Sequence, residues 1–197
     1  MRRVGSVAAI ILLLAYAVPG FAETSGFQEA IFNPGLLKPV DSTVKVVIGQ
    51  VAPDFSLRSI NGGMVSLSQY RGKNKVVLSF VPAAWTPVCS DQWPGYNISR
   101  KIFADHNAVL LGITVDNVPT LHAWVQQMGG LWFEVLSDFW PHGRTADVYG
   151  VLRTDGMAER ALFFIDTSAY LHKLEIVFLS CEPFTSRLRH TKGLAFS

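Results

Sequence analysis

Cysteine and charge are both scarce in this sequence. Its 197 residues include two cysteines, Cys89 and Cys181, 92 positions apart, and charged residues make up 16%. Two thiols allow at most one disulfide within the chain, and Cys-x-x-Cys is absent because Gln92 stands three positions after Cys89. Cys-x-x-x-Cys is absent too, since position 93 is tryptophan, which removes the spacing a copper-handling thiol pair would use. A basic stripe is also missing. Arg2 and Arg3 are the only charges in the first 22 residues, so without them the formal net charge falls from +2 to 0. The electrostatic footprint of a nucleic-acid binder is therefore lacking. The histidines at 106, 122, 142, 172 and 190 show no metal-ligand spacing, and neither an internal repeat nor a low-complexity segment occurs. What is abundant is apolar residue, at 49%, which excludes a disordered chain and suits one domain with a substantial core.

Part of that apolar content is concentrated at the amino terminus. Val4 to Ala22 carries no charge and follows Arg2 and Arg3. A basic start, a short apolar centre from Val7 to Ala17 and the exit Gly20-Phe21-Ala22 predict a signal peptide over residues 1–22, hence export to an oxidising compartment such as the periplasm. The competing reading is an uncleaved membrane anchor, since the uncharged stretch of 19 residues approaches the ~20 needed to span a bilayer. No cysteine follows the run to carry a lipid.

Residues 23–48, with Pro34, Pro39 and no sustained period, read as an extended lead-in, and the domain proper as residues 49–178. Asp54–Leu57 and Met64–Leu67 are short strand candidates flanking the turn Asn61-Gly62-Gly63. Val76–Val81 and Ala108–Val115 are nearly unbroken apolar runs of the kind buried on both faces of a parallel sheet. Between them a helix is expected from Pro87 to about Asp105, kinked at Pro94-Gly95. Leu121, Trp124, Val125 and Met128 recur at helical spacing and predict a helix over Pro119–Met128 that ends at Gly129-Gly130. Arg144–Tyr149 reads as a short helix stopped by Gly150, and Ala161–Ile165 and Leu171–Phe178 as a closing hairpin. This alternation predicts a three-layer α/β domain with a mixed central sheet.

The most informative stretch is Pro82-Ala83-Ala84-Trp85-Thr86-Pro87-Val88-Cys89, between a buried strand and the first turn of a helix, where ligands bind in open α/β sheets. Unpaired amides and the positive end of the helix dipole stabilise negative charge on a sulfur placed there. Pro87 suits the first helical position. Thr86 stands where a cap would, with its hydroxyl free either to cap or to bond the sulfur or an incoming oxygen. Pro82 and Trp85 would limit water and bulky thiols. The chemistry this suits is attack by sulfur on something small and polar; the plainer reading of Cys89 is a buried small apolar residue.

Pro-x-x-x-Thr-x-x-Cys resembles the signature of the peroxiredoxins, the alkyl hydroperoxide reductase and thiol-specific antioxidant family. The resemblance runs from about Gly49 to Asp166 and includes Ala52-Pro53-Asp54-Phe55-Ser56-Leu57, Gly112-Ile113-Thr114-Val115-Asp116, Leu136-Ser137-Asp138, Tyr149-Gly150-Val151 and Arg160 leading into Ala161–Asp166. The phrasing around Cys89 looks most like the bacterial one-cysteine and bacterioferritin-comigratory branches. The resemblance implies a thioredoxin-like fold and a thiol-dependent peroxidase without metal or organic cofactor. It implies that Cys89 attacks a hydroperoxide and becomes a sulfenic acid, that Thr86 holds the peroxide oxygens, that Pro82 shields the pocket and that Arg160 bonds sulfur and oxygen. Without the resemblance, Arg160 would read as a surface ion pair. Gln92 stands where many relatives have glutamate.

The resemblance fades after Asp166, and residues 179–197 read as a divergent tail, or one in a shifted reading frame. Cys181 lies there, either as a resolving cysteine, within the chain or across a homodimer, or as an incidental residue with a thioredoxin-like protein or small thiol as reductant. The competing functions are a thiol-disulfide oxidoreductase, which would want the missing second cysteine, and a non-catalytic holdase that keeps the fold.

Overall fold

A computed structural model of the chain describes residues 23–35 and 40–176. The signal peptide and the divergent tail with Cys181 lie outside these residues. Seven strands form one mixed sheet: β1 (Ser56–Ser59), β2 (Met64–Ser66), β3 (Lys75–Phe80), β4 (Ala108–Thr114), β5 (Glu134–Ser137), β6 (Ala161–Ile165) and β7 (Leu171–Ile176). Their spatial order is β2-β1-β5-β4-β3-β6-β7. β3, β4 and β5 run parallel, whereas β6 is antiparallel to β3, and β1 is antiparallel to β5. The helices are α1 (Glu23–Ala30), α2 (Pro87–Gly95), α3 (Arg100–Asp105), α4 (Val118–Gln127) and α5 (Arg144–Tyr149).

The two central strands are mostly apolar because both of their faces are covered. Val76, Leu78 and Phe80 point into one core layer with Leu111, Ile113, Leu136, Phe163 and Tyr149. Val77 and Val81 point into the other, with Leu110, Val135 and the aromatic side chains of α2 and α4. Each fully buried side chain of this size contributes roughly 1.5–3 kcal/mol. In the second layer Trp93, Trp124 and Phe133 pack together, with the two indole centroids 5.0 Å apart. Both indole N–H groups are satisfied, Trp93 donating to Ser79 Oγ at 3.2 Å and Trp124 to Ser90 Oγ at 3.0 Å. Gly112 of β4 makes this packing fit, because a Cβ there would stand 2.8 Å from the Trp93 ring.

Several elements differ from the sequence reading. The lead-in is not extended throughout: Glu23–Ala30 is helical, and its residues lack the capping and periodic signals that would announce a helix. The Pro87–Asp105 helix is two helices separated by a 3-10 turn at Tyr96–Ser99, because Pro94 removes an amide from the ladder. β5 was not expected. It has four residues and begins with Glu134, too short and too mixed to stand out, yet it completes the parallel trio. β1 begins at Ser56 rather than Asp54, since the Asp54 carboxylate accepts the Phe55 and Ser68 amides outside the ladder.

Candidate active site

β3 ends at Phe80, and Pro82–Thr86 form the loop that leads into α2. The ends of β4 and β5 hold this loop. Val81 N–H donates to Ile113 O at 3.1 Å, which ties it to β4. Ala84 N–H donates to Asp116 Oδ2 at 2.8 Å, and the same carboxylate accepts the Thr114 hydroxyl. Ser137 at the end of β5 donates to the Asp116 carbonyl at 2.6 Å. Next to it, Asp138 accepts the amides of Thr145 and Ala146 at 3.0 and 2.8 Å, which anchors the start of α5. Burial raises the Asp138 carboxyl above the ordinary aspartate range, against the pull of those amides.

Within the loop, Trp85 takes a left-handed backbone, with φ of +60°. That conformation costs an L-residue about 1–2 kcal/mol and must be held from outside. It turns the chain so that Thr86 becomes the residue before α2 and Pro87 its first residue. The Thr86 hydroxyl does not cap the helix; it donates to Ala83 O at 2.9 Å, leaving its oxygen lone pairs free to accept.

Cys89 lies in the first turn of α2, a free thiol with no exposed surface, packed among Val81, Ala84 and Trp93. Arg160 reaches it from the other side of the sheet register. Phe80 pairs with Ala161 across β3 and β6, so the residue before β6 sits beside the start of the Pro82–Thr86 loop, 71 positions away in sequence from Cys89. Arg160 Nη2 donates to Cys89 Sγ at 3.0 Å. Its Nη1 donates to Gln92 Oε1, and Gln92 Nε2 donates in turn to Tyr96 Oη at 2.6 Å. Burial pushes the Tyr96 hydroxyl above the usual phenol value, which keeps it protonated, and it also bonds the Ser79 side chain.

The reading of Arg160 as a surface ion pair is thus corrected. The residue is 4% exposed, and among the described residues no carboxylate lies within ion-pair distance of it. Its Nε is buried without a hydrogen-bond partner. A buried guanidinium normally has an anion beside it. Here the atom in that position is sulfur. The structure therefore brings Arg160 to Cys89, with Thr86 as the residue before α2 and Pro82 buried at the start of the loop. It adds Tyr96, which sequence reasoning missed; its four-residue spacing from Gln92, across the step from α2 into the 3-10 turn, was the available signal. Among the described residues, no group of three His, Cys, Asp or Glu side chains is placed to hold a metal ion.

Comparison with known proteins agrees with this arrangement. The model of the AhpC/TSA family matches residues 48–173. Alkyl hydroperoxide reductase E of Mycobacterium tuberculosis is 37% identical over 130 residues, covering 66% of this chain and 84% of that protein. Peroxiredoxin prdx-2 of Caenorhabditis elegans is 37% identical over 142 residues, covering 67% of this chain and 69% of that one. Among solved structures, the reduced 2-Cys peroxiredoxin of Plasmodium vivax superposes with a TM-score of 0.64 at 28% identity, covering 72% of this chain and 92% of that chain. The peroxidoxin BcpB of Mycobacterium tuberculosis superposes at 0.61, also with 28% identity, over 68% of this chain and 87% of that one. With its thiol at a helix start under a buried arginine, on a thioredoxin-like mixed sheet, the chain belongs to the AhpC/TSA family and is a peroxiredoxin.

Proposed function

We propose that Cys89 is the residue at which this thiol-dependent peroxidase reduces hydrogen peroxide or a small organic hydroperoxide. The observation that carries the assignment is the buried Arg160 guanidinium, 3.0 Å from Sγ and without a carboxylate partner. A charge-assisted bond of this kind is worth about 1.5–3 kcal/mol. The thiolate attacks the terminal oxygen of ROOH. The S–O bond forms as the O–O bond breaks, the transferred oxygen keeps its hydrogen as sulfenic acid, and the leaving alkoxide or hydroxide takes a proton from solvent. Thr86 accepts from the hydroperoxide O–H, Arg160 stabilises charge growing between the oxygens, and Pro82 keeps water from the sulfur.

Gln92 and Tyr96 act as positioning residues. A carboxamide presents an acceptor to Arg160 in only one of its two orientations, and the Tyr96 hydroxyl, by accepting from Nε2, selects that one. Tyr96→Phe is expected to slow the reaction with peroxide about tenfold. Gln92→Glu in the same background should restore most of the loss, because a carboxylate accepts whichever way it turns. Stopped-flow rates of the reduced proteins would decide it.

Regeneration needs a thiol. It comes from Cys181, within the chain or across a homodimer, or from a thioredoxin-like partner. Reduced protein mixed with hydrogen peroxide tests the reading and separates these routes. The expected result is rapid loss of one thiol, with dimedone trapping a sulfenic acid on Cys89. A disulfide that disappears in Cys181→Ser would identify the resolving residue. Reaction no faster than that of free cysteine would sink the assignment. The Arg2-Arg3 start and the Gly20-Phe21-Ala22 exit support export with cleavage after Ala22, and hence a periplasmic location. A thiol-disulfide oxidoreductase is the weaker reading, since Gln92 occupies the position of its second cysteine.

A further inference from the structure

The segment before the matched family region touches the active-site loop. Phe32 N–H donates to Trp85 O at 2.8 Å. The Phe27 ring lies 6.0 Å from the Trp85 ring and packs against the same core layer as Cys89. Both residues precede residue 48, where the family match begins. Trp85 is the loop residue with a left-handed backbone, and its neighbours on either side are held differently: Ala84 from within by Asp116, Thr86 by its own bond to Ala83. The external contact at the strained residue comes from the lead-in.

We propose that Phe27–Phe32 is a clamp that holds Trp85 in its left-handed conformation and so positions Thr86 and Cys89 against Pro82 and Arg160 for the peroxide reaction. The proposal rests on the peroxidase reading for its rate effect but not for its structural effect. The backbone of Trp85 lies in a region that a bulky L-residue leaves when unrestrained. Rotation of Trp85 back to negative φ would swing Thr86 and the first turn of α2, Cys89 included, away from Ala83 and from Arg160 on the sheet. Phe32 contributes through its amide, since its side chain is 69% exposed. Phe27 contributes through its ring.

The test uses the full chain with single substitutions. Phe32→Pro removes the donor, and Phe32→Ala keeps it. The second-order rate with hydrogen peroxide is expected to fall about tenfold in Phe32→Pro and to be unchanged in Phe32→Ala. Phe27→Ala should slow the reaction in the same direction. Glycine adopts positive φ without help, so in a Trp85→Gly background Phe32→Pro should cost no more than about twofold. Amide hydrogen exchange over Ala83–Cys89 should quicken in Phe32→Pro, whatever the protein does with peroxide. Parent-like rate and exchange in Phe32→Pro would overturn the clamp, as would an undiminished loss in the Trp85→Gly background. If the parent itself fails to react while the exchange pattern appears, the clamp stands and the peroxidase assignment falls.

Discussion

Cys89→Ser is expected to lower the rate of peroxide consumption by a factor on the order of 10⁴ or more. A serine hydroxyl remains neutral and weakly nucleophilic under Arg160, so no oxygen transfer can begin. The same substitution bears on stability. Serine still offers Arg160 Nη2 an acceptor, but it leaves the buried guanidinium without an anion, and none of the carboxylates among the described residues is within ion-pair distance. A loss of about 1–3 kcal/mol follows. Denaturant unfolding of the reduced proteins would measure it. Equal stability of the two proteins would mean that sulfur does not serve as the counter-charge of Arg160, even if activity is lost.

Arg160→Ala should reduce the second-order rate constant with peroxide by roughly 10²–10³, the range seen when one donor to a developing charge is removed. The effect belongs to the reacting sulfur and oxygens, so it should appear in the peroxide step and leave slow recycling by excess small thiol unchanged. Arg160→Lys should recover only part of the loss. Lysine restores charge but not the fork by which one guanidinium bonds Cys89 through Nη2 and Gln92 through Nη1. Stopped-flow measurement of peroxide reaction beside turnover with a thiol regenerant separates the steps. A lysine variant with the full parent rate would show that charge alone suffices and that the Gln92–Tyr96 chain is ornamental to the chemistry.

What could be read in the sequence follows a physical pattern. β3, β4 and β6 were legible because strands buried on both faces are short unbroken apolar runs, and α4 because its buried Leu121, Trp124 and Val125 keep helical spacing. α5 was legible through Gly150, whose left-handed φ of +73° ends the helix and where the chain at Thr43–Lys45 passes too close for a Cβ. β5 and α1 were not. A four-residue strand beginning with an exposed-type residue takes its conformation from its neighbours, and α1 is held by what it packs on rather than by its own signals.

The same division runs through the site. Pro82, Thr86, Pro87 and Cys89 lie within eight residues, and their chemistry depends on local geometry: a strand end, a cap position and the first turn of a helix. The sequence by itself therefore determined the fold class, and it pointed to Cys89 and its immediate setting. Only the tertiary structure decided that Arg160 is buried beside that sulfur, that Gln92 bonds it and is bonded in turn to Tyr96, and that the lead-in reaches Trp85. Those contacts join residues through the β3–β6 register, the step from α2 into the 3-10 turn and a segment outside the domain, and only the four-residue spacing of Gln92 and Tyr96 leaves a local trace in the sequence. They arise where packing of the whole sheet brings distant chain to one strand end, and burial there favours pairing of the polar groups that meet.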